Sequence, residues 1–338
     1  MNTPRWKHRP PGSNWGDFGA DDQLGRLNLI NRDKLRQGLA EATEAIAFCL
    51  SLPLDYPGGN SLSHHRLPPV LFAGEAAGGA STYGRPMAGV DPLFTDVVND
   101  DAVTLYLQYS TQWDALGHIS HRFDADGDGE REVVFYNGYR AHDDAPQSVH
   151  GACGQPLGIE HMATAGLQGR GVLVNIHAVH GRTRMRIGYD ALRQMIDDQK
   201  VEVRPGDILC LYFGFADAVL EQARSPDAAM LRRSFGGLDG GDGKLLNWIT
   251  DSGVAAICAD NPAVEYVSDK TRHDGYQALL PLHEHCLFKL GIHLGEMWWL
   301  SDLSAWLRQN ARSAFLLTAP PLRLPGSVGS PVTPIATV

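Results

Sequence analysis

The stretch TLYLQYSTQWDALGHISH, residues 104–121, carries Gln108, Gln112, Asp114 and His118 in one short run. A carboxylate and an imidazole this close together could hold a divalent cation or move a proton. Two of the four side chains are amides. Zinc favours imidazole and thiolate, whereas a Gln carbonyl is a hard, neutral oxygen donor suited to Mn²⁺, Mg²⁺ or Ca²⁺. The residues alone leave three readings open: a working cation site, an altered one in which the amides bind substrate, or a polar strand end without chemistry.

The element that must position these groups is an extended strand. Residues two apart share a face, so Val103, Leu105, Leu107 and Tyr109 are expected against a core, and Thr104, Tyr106, Gln108 and Ser110 opposite. The same geometry, continued, adds Gln112 and Asp114 to the polar face. Further strands are expected at AIAFCLSLPL, RGVLVNI, GDILCLYFG, VAAICAD and AFLLTAP, with Gly or Pro near their ends. Apolar residues at helical spacing mark GYDALRQMIDDQ, LLPLHEHCLFKLGI and LSDLSAWLRQN, the second ending on Gly291. Strands and helices mix without regular alternation. That predicts an α/β fold with a mixed sheet, in one domain over residues 1–338.

The chain has 338 residues, 43% of them hydrophobic and 20% charged, which suffices for a large core. A formal net charge of −10 argues against a nucleic-acid binder, which needs a basic face. The opening MNTPRWKHRPPGSNWG lacks the apolar segment of a secretory signal, and no run has the length of a membrane span. The five cysteines, at 49, 153, 210, 258 and 286, are widely spaced with no CxxC pair, which points away from a disulfide framework or zinc finger. The expectation is a cytoplasmic protein acting on a small molecule, with neither a nucleic-acid nor a membrane partner.

Residues 108–118 resemble the motif H-x-G-T-H-x-D-x-P-x-H of the cyclase family, which includes bacterial kynurenine formamidase and isatin hydrolase. Thr111, Asp114 and His118 match; Gln108 and Gln112 replace His, Ser110 replaces Gly and Leu116 replaces Pro. SNWGDFGADDQLGRLNLI, RGVLVNI, VRPGDILCLYFG, CADNPAVE, LHEHCLFKLGIHLGEMWWL and GSVGSPVTPIAT are similar to family segments in the same order. The resemblance implies a single swivelling β/β/α domain with an N-terminal extension over about 1–45 and a C-terminal tail over about 319–338. It also implies a homo-oligomer, dimer or tetramer, with the site near a subunit interface. Metal-ligand places fall on Gln108, Gln112, Asp114, His283 and Glu296, and the proton donor and acceptor on His118. Tyr56, in LDYPGG, stands where formamidases carry a substrate-contacting Trp.

The implied reaction is hydrolysis of a C–N bond in a small cyclic amide or N-acyl compound. A metal can lower the pKa of bound water from about 15.7 to about 7, and a nearby His can then protonate the leaving nitrogen. With two imidazoles replaced by amides, Mn²⁺ suits the implied ligand set better than Zn²⁺. Alternatively the metal is absent and Gln108 and Gln112 bind substrate. A metal-independent lyase or isomerase using His118, and a non-catalytic small-molecule binder, stand as the other function classes. Four further features read as structural. DADGDGE (124–130) starts like a calcium loop but has Phe135 where the twelfth position needs Glu. GGLDGGDGK lacks P-loop spacing and reads as a flexible loop. His177 and His180 read as strand-end histidines, and Trp298 and Trp299 as packing residues.

Overall fold

Short apolar runs bounded by Gly or Pro are too brief to stand alone and must pair. In the computed structural model, which describes residues 4–75, 79–140, 156–234, 236–267 and 278–338, nine of them do so in one sheet. Its strands are β1 (Ala47–Cys49), β2 (Gln112–Asp114), β3 (Gln168–Asn175), β4 (Ile208–Tyr212), β5 (Ala256–Ala259), β6 (His293–Glu296), β7 (Ala314–Thr318), β8 (Gly329–Pro331) and β9 (Ile335–Thr337). The order across the sheet is β1-β9-β7-β3-β4-β5-β6-β2-β8. The four central strands β3 to β6 are parallel, and the flanking pairs are antiparallel. The fold is mixed α/β.

The central strands are covered on both faces, as parallel strands require. Leu209 and Leu211 of β4 enter one core, while Ile208 and Cys210 enter the other. Helices α2 (Tyr189–Asp198) and α3 (Gly243–Ser252) cover the first face through Leu192, Ile196, Leu245 and Ile249. Helix α4 (Ser301–Gln309) covers the second through Leu303 and Leu307. Helix α1 (Arg32–Glu41) starts at Asn31, whose side chain accepts the N–H groups of Asp33 and Lys34. It can approach β3 because Gly38 has no Cβ; one there would lie 2.8 Å from the carbonyl carbon of Gly169. The C-terminal residues belong to the sheet as β8 and β9, with Ala336 and Val338 fully buried.

Two local expectations are corrected. The run from Ala102 to Ser110 is not one strand with a core face. Asp101–Thr104 pairs with Val70–Ala73 in a hairpin outside the main sheet, residues 107–110 turn, and the ladder resumes at β2. Val103 is 44% exposed. Alternation sets which residues share a face, but the ladder a strand joins is fixed by distant partners. A second hairpin, Tyr83–Pro86 with Val97–Asn99, completes an arm between residues 67 and 106. GGLDGGDGK is also not a loose loop: Gly237–Leu238 pairs with Arg186–Ile187, and Asp242 caps α3 through the N–H groups of Lys244 and Leu245. Among the described residues no helix is long and apolar enough to cross a membrane.

Candidate active site

Strand β2 lies between β6 and β8, with Gln112 opposite Glu296 and Asp114 opposite Leu294 and Gly329. Alternation puts Gln112, Asp114 and Glu296 on one face. Trp113 takes the other face, edge-on to Trp298 at 5.0 Å between ring centroids. Thr111 clamps the strand start: its hydroxyl donates to the Met297 carbonyl at 2.5 Å and accepts the Leu52 N–H at 2.9 Å. That bond holds the turn just past Glu296, where Met297 adopts a φ of 57°.

His283 arrives from a helical segment with a changed period. One α-helical turn, Pro281–His283, passes into a π-helix, Glu284–Leu290, that stops at left-handed Gly291. Glu265 organises its start, accepting the N–H of Leu282 at 3.2 Å and that of His283 at 3.0 Å. The same carboxylate meets His283 Nδ1 at 2.6 Å. An ionised carboxylate only accepts, so Nδ1 carries a proton and Nε2 is turned toward Glu296, with Oε1 at 3.4 Å. Burial pulls the His283 pKa down, but hydrogen bonds to Glu265 and Glu296 outweigh it and push the pKa up to about 10. A proton therefore sits on Nε2 when no cation does, and the two compete for one lone pair.

The donor and acceptor tally of this corner does not close. Gln112 Nε2 donates to Glu296 Oε2 at 2.8 Å. Gln112 Oε1 and both oxygens of Asp114 are buried without a partner among the described residues. One ligand atom each from Asp114, His283 and Glu296 lie within 4.8 Å of one another, and all three residues are buried. Burial, followed by the nearby Asp114 charge, raises the Glu296 carboxyl to about 7, with His283 opposing. The turn after β2, closed by the His118 N–H on the Ala115 carbonyl at 2.9 Å, brings His118 Nε2 to 3.8 Å from Asp114 Oδ1. His118 keeps 22% of its side chain exposed, so it can reach both the corner and solvent.

Gln108 lies in the turn ahead of β2. Its amide occupies the space a side chain would take at Gly329, where a Cβ would meet Nε2 at 2.4 Å. It lines a small cavity of about 80 Å³ with Pro57, Arg66, Tyr109, Gln112 and Glu296. Tyr56 does not line that cavity. Its ring packs with Phe215 and Leu231, and its hydroxyl accepts from Arg224 at 3.2 Å. The neighbouring Pro57 and Gly59, together with Tyr109, form that wall instead. A larger cleft of about 250 Å³, between Lys200 and Arg308, is lined by neither carboxylate nor imidazole and offers no such chemistry.

Glu265 and Arg66 escaped the sequence reading, which expects Tyr109 against a core and not on a cavity wall. For Glu265 a signal exists in CADNPAVE: Asn261 Oδ1 accepts the Val264 N–H at 2.6 Å and holds Val264 at a φ of 56°, a turn that aims the following Glu inward. Several of the other histidines and tryptophans have local partners. His285 meets the Thr250 hydroxyl at 3.0 Å, His177 lies tilted against the Tyr212 ring, and Trp299 donates to Asp217. Asp124, Asp126 and Asp128 converge within 4.8 Å, but they accept the N–H groups of Gly127, Gly129, Asp128 and Glu130 in a β-hairpin loop.

The family model "Cyclase: Putative cyclase" matches residues 48–266. The crystal structure of a novel cyclase is 30% identical, covering 98% of this chain and 100% of its own, with a TM-score of 0.76. Isatin hydrolase A from Labrenzia aggregata, bound to benzyl benzoate, shares the fold at 12% identity, covering 90% of this chain and 98% of its own, with a TM-score of 0.55. Isatin hydrolase A from Ralstonia solanacearum does so at 14%, covering 89% and 95%, with a TM-score of 0.54. No curated protein matches.

Proposed function

Because this chain belongs to the cyclase family, we propose that it hydrolyses a C–N bond in a small cyclic amide or N-acyl compound, with a divalent cation held by Asp114, His283, Glu296 and the amide oxygen of Gln112. One observation carries the reading: both oxygens of Asp114 and Oε1 of Gln112 are buried acceptors without a donor among the described residues. Each such group costs on the order of 1–3 kcal/mol, and two carboxylates in one dry site repel. A cation among them relieves both costs, so the residues fit the group. Three oxygen donors and one imidazole favour Mn²⁺ over Zn²⁺. Bound there, such a cation supplies Lewis-acid polarisation of the scissile carbonyl and acidifies water.

The chain's own residues supply the rest. Glu265 holds the Nδ1 proton of His283 and so fixes the ring with Nε2 toward the site. Gln112 ties its NH₂ to Glu296 and keeps its oxygen uncommitted. His118 takes one proton of the attacking water and delivers it to the leaving nitrogen as the C–N bond breaks, giving an amine and a carboxylic acid that releases its remaining proton to solvent. Gln108, on the cavity wall, hydrogen-bonds the substrate. Elemental analysis of protein purified without chelator tests the reading: about one equivalent of divalent metal is expected, and none in Asp114→Ala. His118→Ala should keep the metal and lose about 10²–10⁴-fold in hydrolysis rate. Metal-free protein with undiminished turnover overturns it.

The same proposal includes a cytoplasmic homo-oligomer, dimer or tetramer, joined through the arm between residues 67 and 106. Its support is the arm's surface: eleven of the eighteen exposed large apolar residues among those described lie there, including Leu71, Phe72 and Leu93. Monomers rarely leave such surface in water. A second copy of the chain, which carries the same patch, satisfies it by two-fold symmetry.

A further inference from the structure

The cavity beside Glu296 carries a cation that the proposed hydrolysis does not use. Arg66 is the one Lys or Arg among its described lining residues. Its Nη1 donates to the Gln108 carbonyl at 2.6 Å, which anchors the guanidinium over the cavity. No other bond to the guanidinium, and no carboxylate partner, occurs among the described residues. Apart from Arg66 and Glu296 the wall is neutral. Asn60 and Ser63 are its small polar side chains, and the Tyr109 hydroxyl is already committed to the Gly59 carbonyl at 2.9 Å.

A guanidinium fork with spare donors, on a wall whose one carboxylate, Glu296, belongs to the proposed cation site, matches a carboxylate in shape and charge. The carboxylate released by hydrolysis would form at the scissile carbon, beside Asp114 and His283, so Arg66 addresses a different anionic group. We propose that the substrate is an amide or lactam bearing a carboxylate away from the scissile bond, and that Arg66 is the specificity residue that grips it. The hydrolytic half of this statement rests on the function proposed above; the anion-binding half does not.

Benzoate and benzamide are probes of similar shape and different charge. Calorimetric titration of the full-length protein should show benzoate bound more tightly than benzamide by about tenfold to a hundredfold. Arg66→Gln should abolish the preference, Arg66→Lys should restore part of it, and benzamide affinity should stay level, which a merely structural role for Arg66 would not produce. Asp114→Asn should leave the preference in place. A preference that survives Arg66→Gln, or that vanishes in Asp114→Asn, overturns the assignment, since the anion would then be reading the interior corner. Hydrolysis of N-formylanthranilate against N-formylaniline separates the two halves. A raised KM for the anthranilate alone in Arg66→Gln supports the specificity role. Binding preference without hydrolysis of any amide overturns the hydrolase reading and not the anion site; equal binding of the two probes overturns the anion site and leaves the hydrolase reading standing.

Discussion

Two short strands in this molecule exchange the environments their side chains would choose alone. Val70–Ala73, reading VLFA, is exposed at every position, whereas Gln112–Asp114, reading QWD, is buried at every position. What separates them is pairing. Gln112–Asp114 is laddered on both edges, to β6 and β8, and Asp114 comes within 4.8 Å of His283 in the Pro281–Leu290 segment. Among the described residues Val70–Ala73 has one partner, Asp101–Thr104, which is itself largely exposed. Each inversion is informative: buried acceptors without donors ask for a ligand, and exposed apolar rows ask for a surface.

The largest expected effect lies in the buried corner. Glu265 both caps the helical segment and pairs with His283, with side chains 1% and 4% exposed. Removing one partner of a buried charged pair costs about 3–5 kcal/mol, because the other is left uncompensated. Glu265→Ala should therefore lose about that much in urea unfolding, and Glu265→Gln, which keeps an acceptor for the helix start, should lose less. A loss under about 1 kcal/mol in Glu265→Ala would mean that the corner is held by its strands alone.

This corner also separates what the sequence could reveal from what it could not. Period-two alternation correctly pairs the faces of Gln112 and Asp114, because that rule is local. It fails for Gln108, which lies in a turn, and it cannot tell that the apolar stretch before it leaves the sheet for the arm. His283 and Glu296 come together through a parallel sheet register set by β4 and β5 and a π-helix with no period of its own in the sequence. Tyr56 shows the same limit: its segment borders the cavity through Pro57 and Gly59, while Arg224, distant in sequence, takes the ring away. Long-range partners, not residue type, decide each case.

A smaller effect, on the opposite face of β6, depends on pH. His293 is fully buried, its Nδ1 has no partner among the described residues, and burial, with some help from His161, lowers its pKa to about 3. An unfolded His titrates near 6.5. The unfolded chain therefore binds a proton that the fold refuses, and the stability associated with neutral His293 is complete above pH 6.5 and lost as pH falls toward 3. The loss reaches about 2 kcal/mol by pH 5. Asp260, raised to about 7 by burial against the amides of Phe213, Ala216 and Phe215, works in the other direction between pH 7 and its ordinary 3.8. The diagnostic quantity is thus the difference between wild type and His293→Gln. Acid should destabilise the wild type more steeply than the variant between pH 6.5 and 5; parallel curves would show that the buried ring accepts its proton in place.

The smallest effect on the fold, and the sharpest test of the contrast, belongs to the arm. Leu71 and Leu93 are 71% and 86% exposed, so neither contributes to the interior of its own chain. Leu71→Asp and Leu93→Asp should leave the unfolding free energy of the isolated chain within about 0.5 kcal/mol of wild type. The same charges at an interface between copies would be buried and unpaired, which association does not tolerate. Sedimentation should therefore show the variants at the mass of one chain and the wild type at a multiple of it. A variant that keeps the wild-type mass removes the arm from the interface. One that loses more than about 2 kcal/mol at unchanged mass shows the arm packed on its own body, and the contrast between the two strands would then be one of position only.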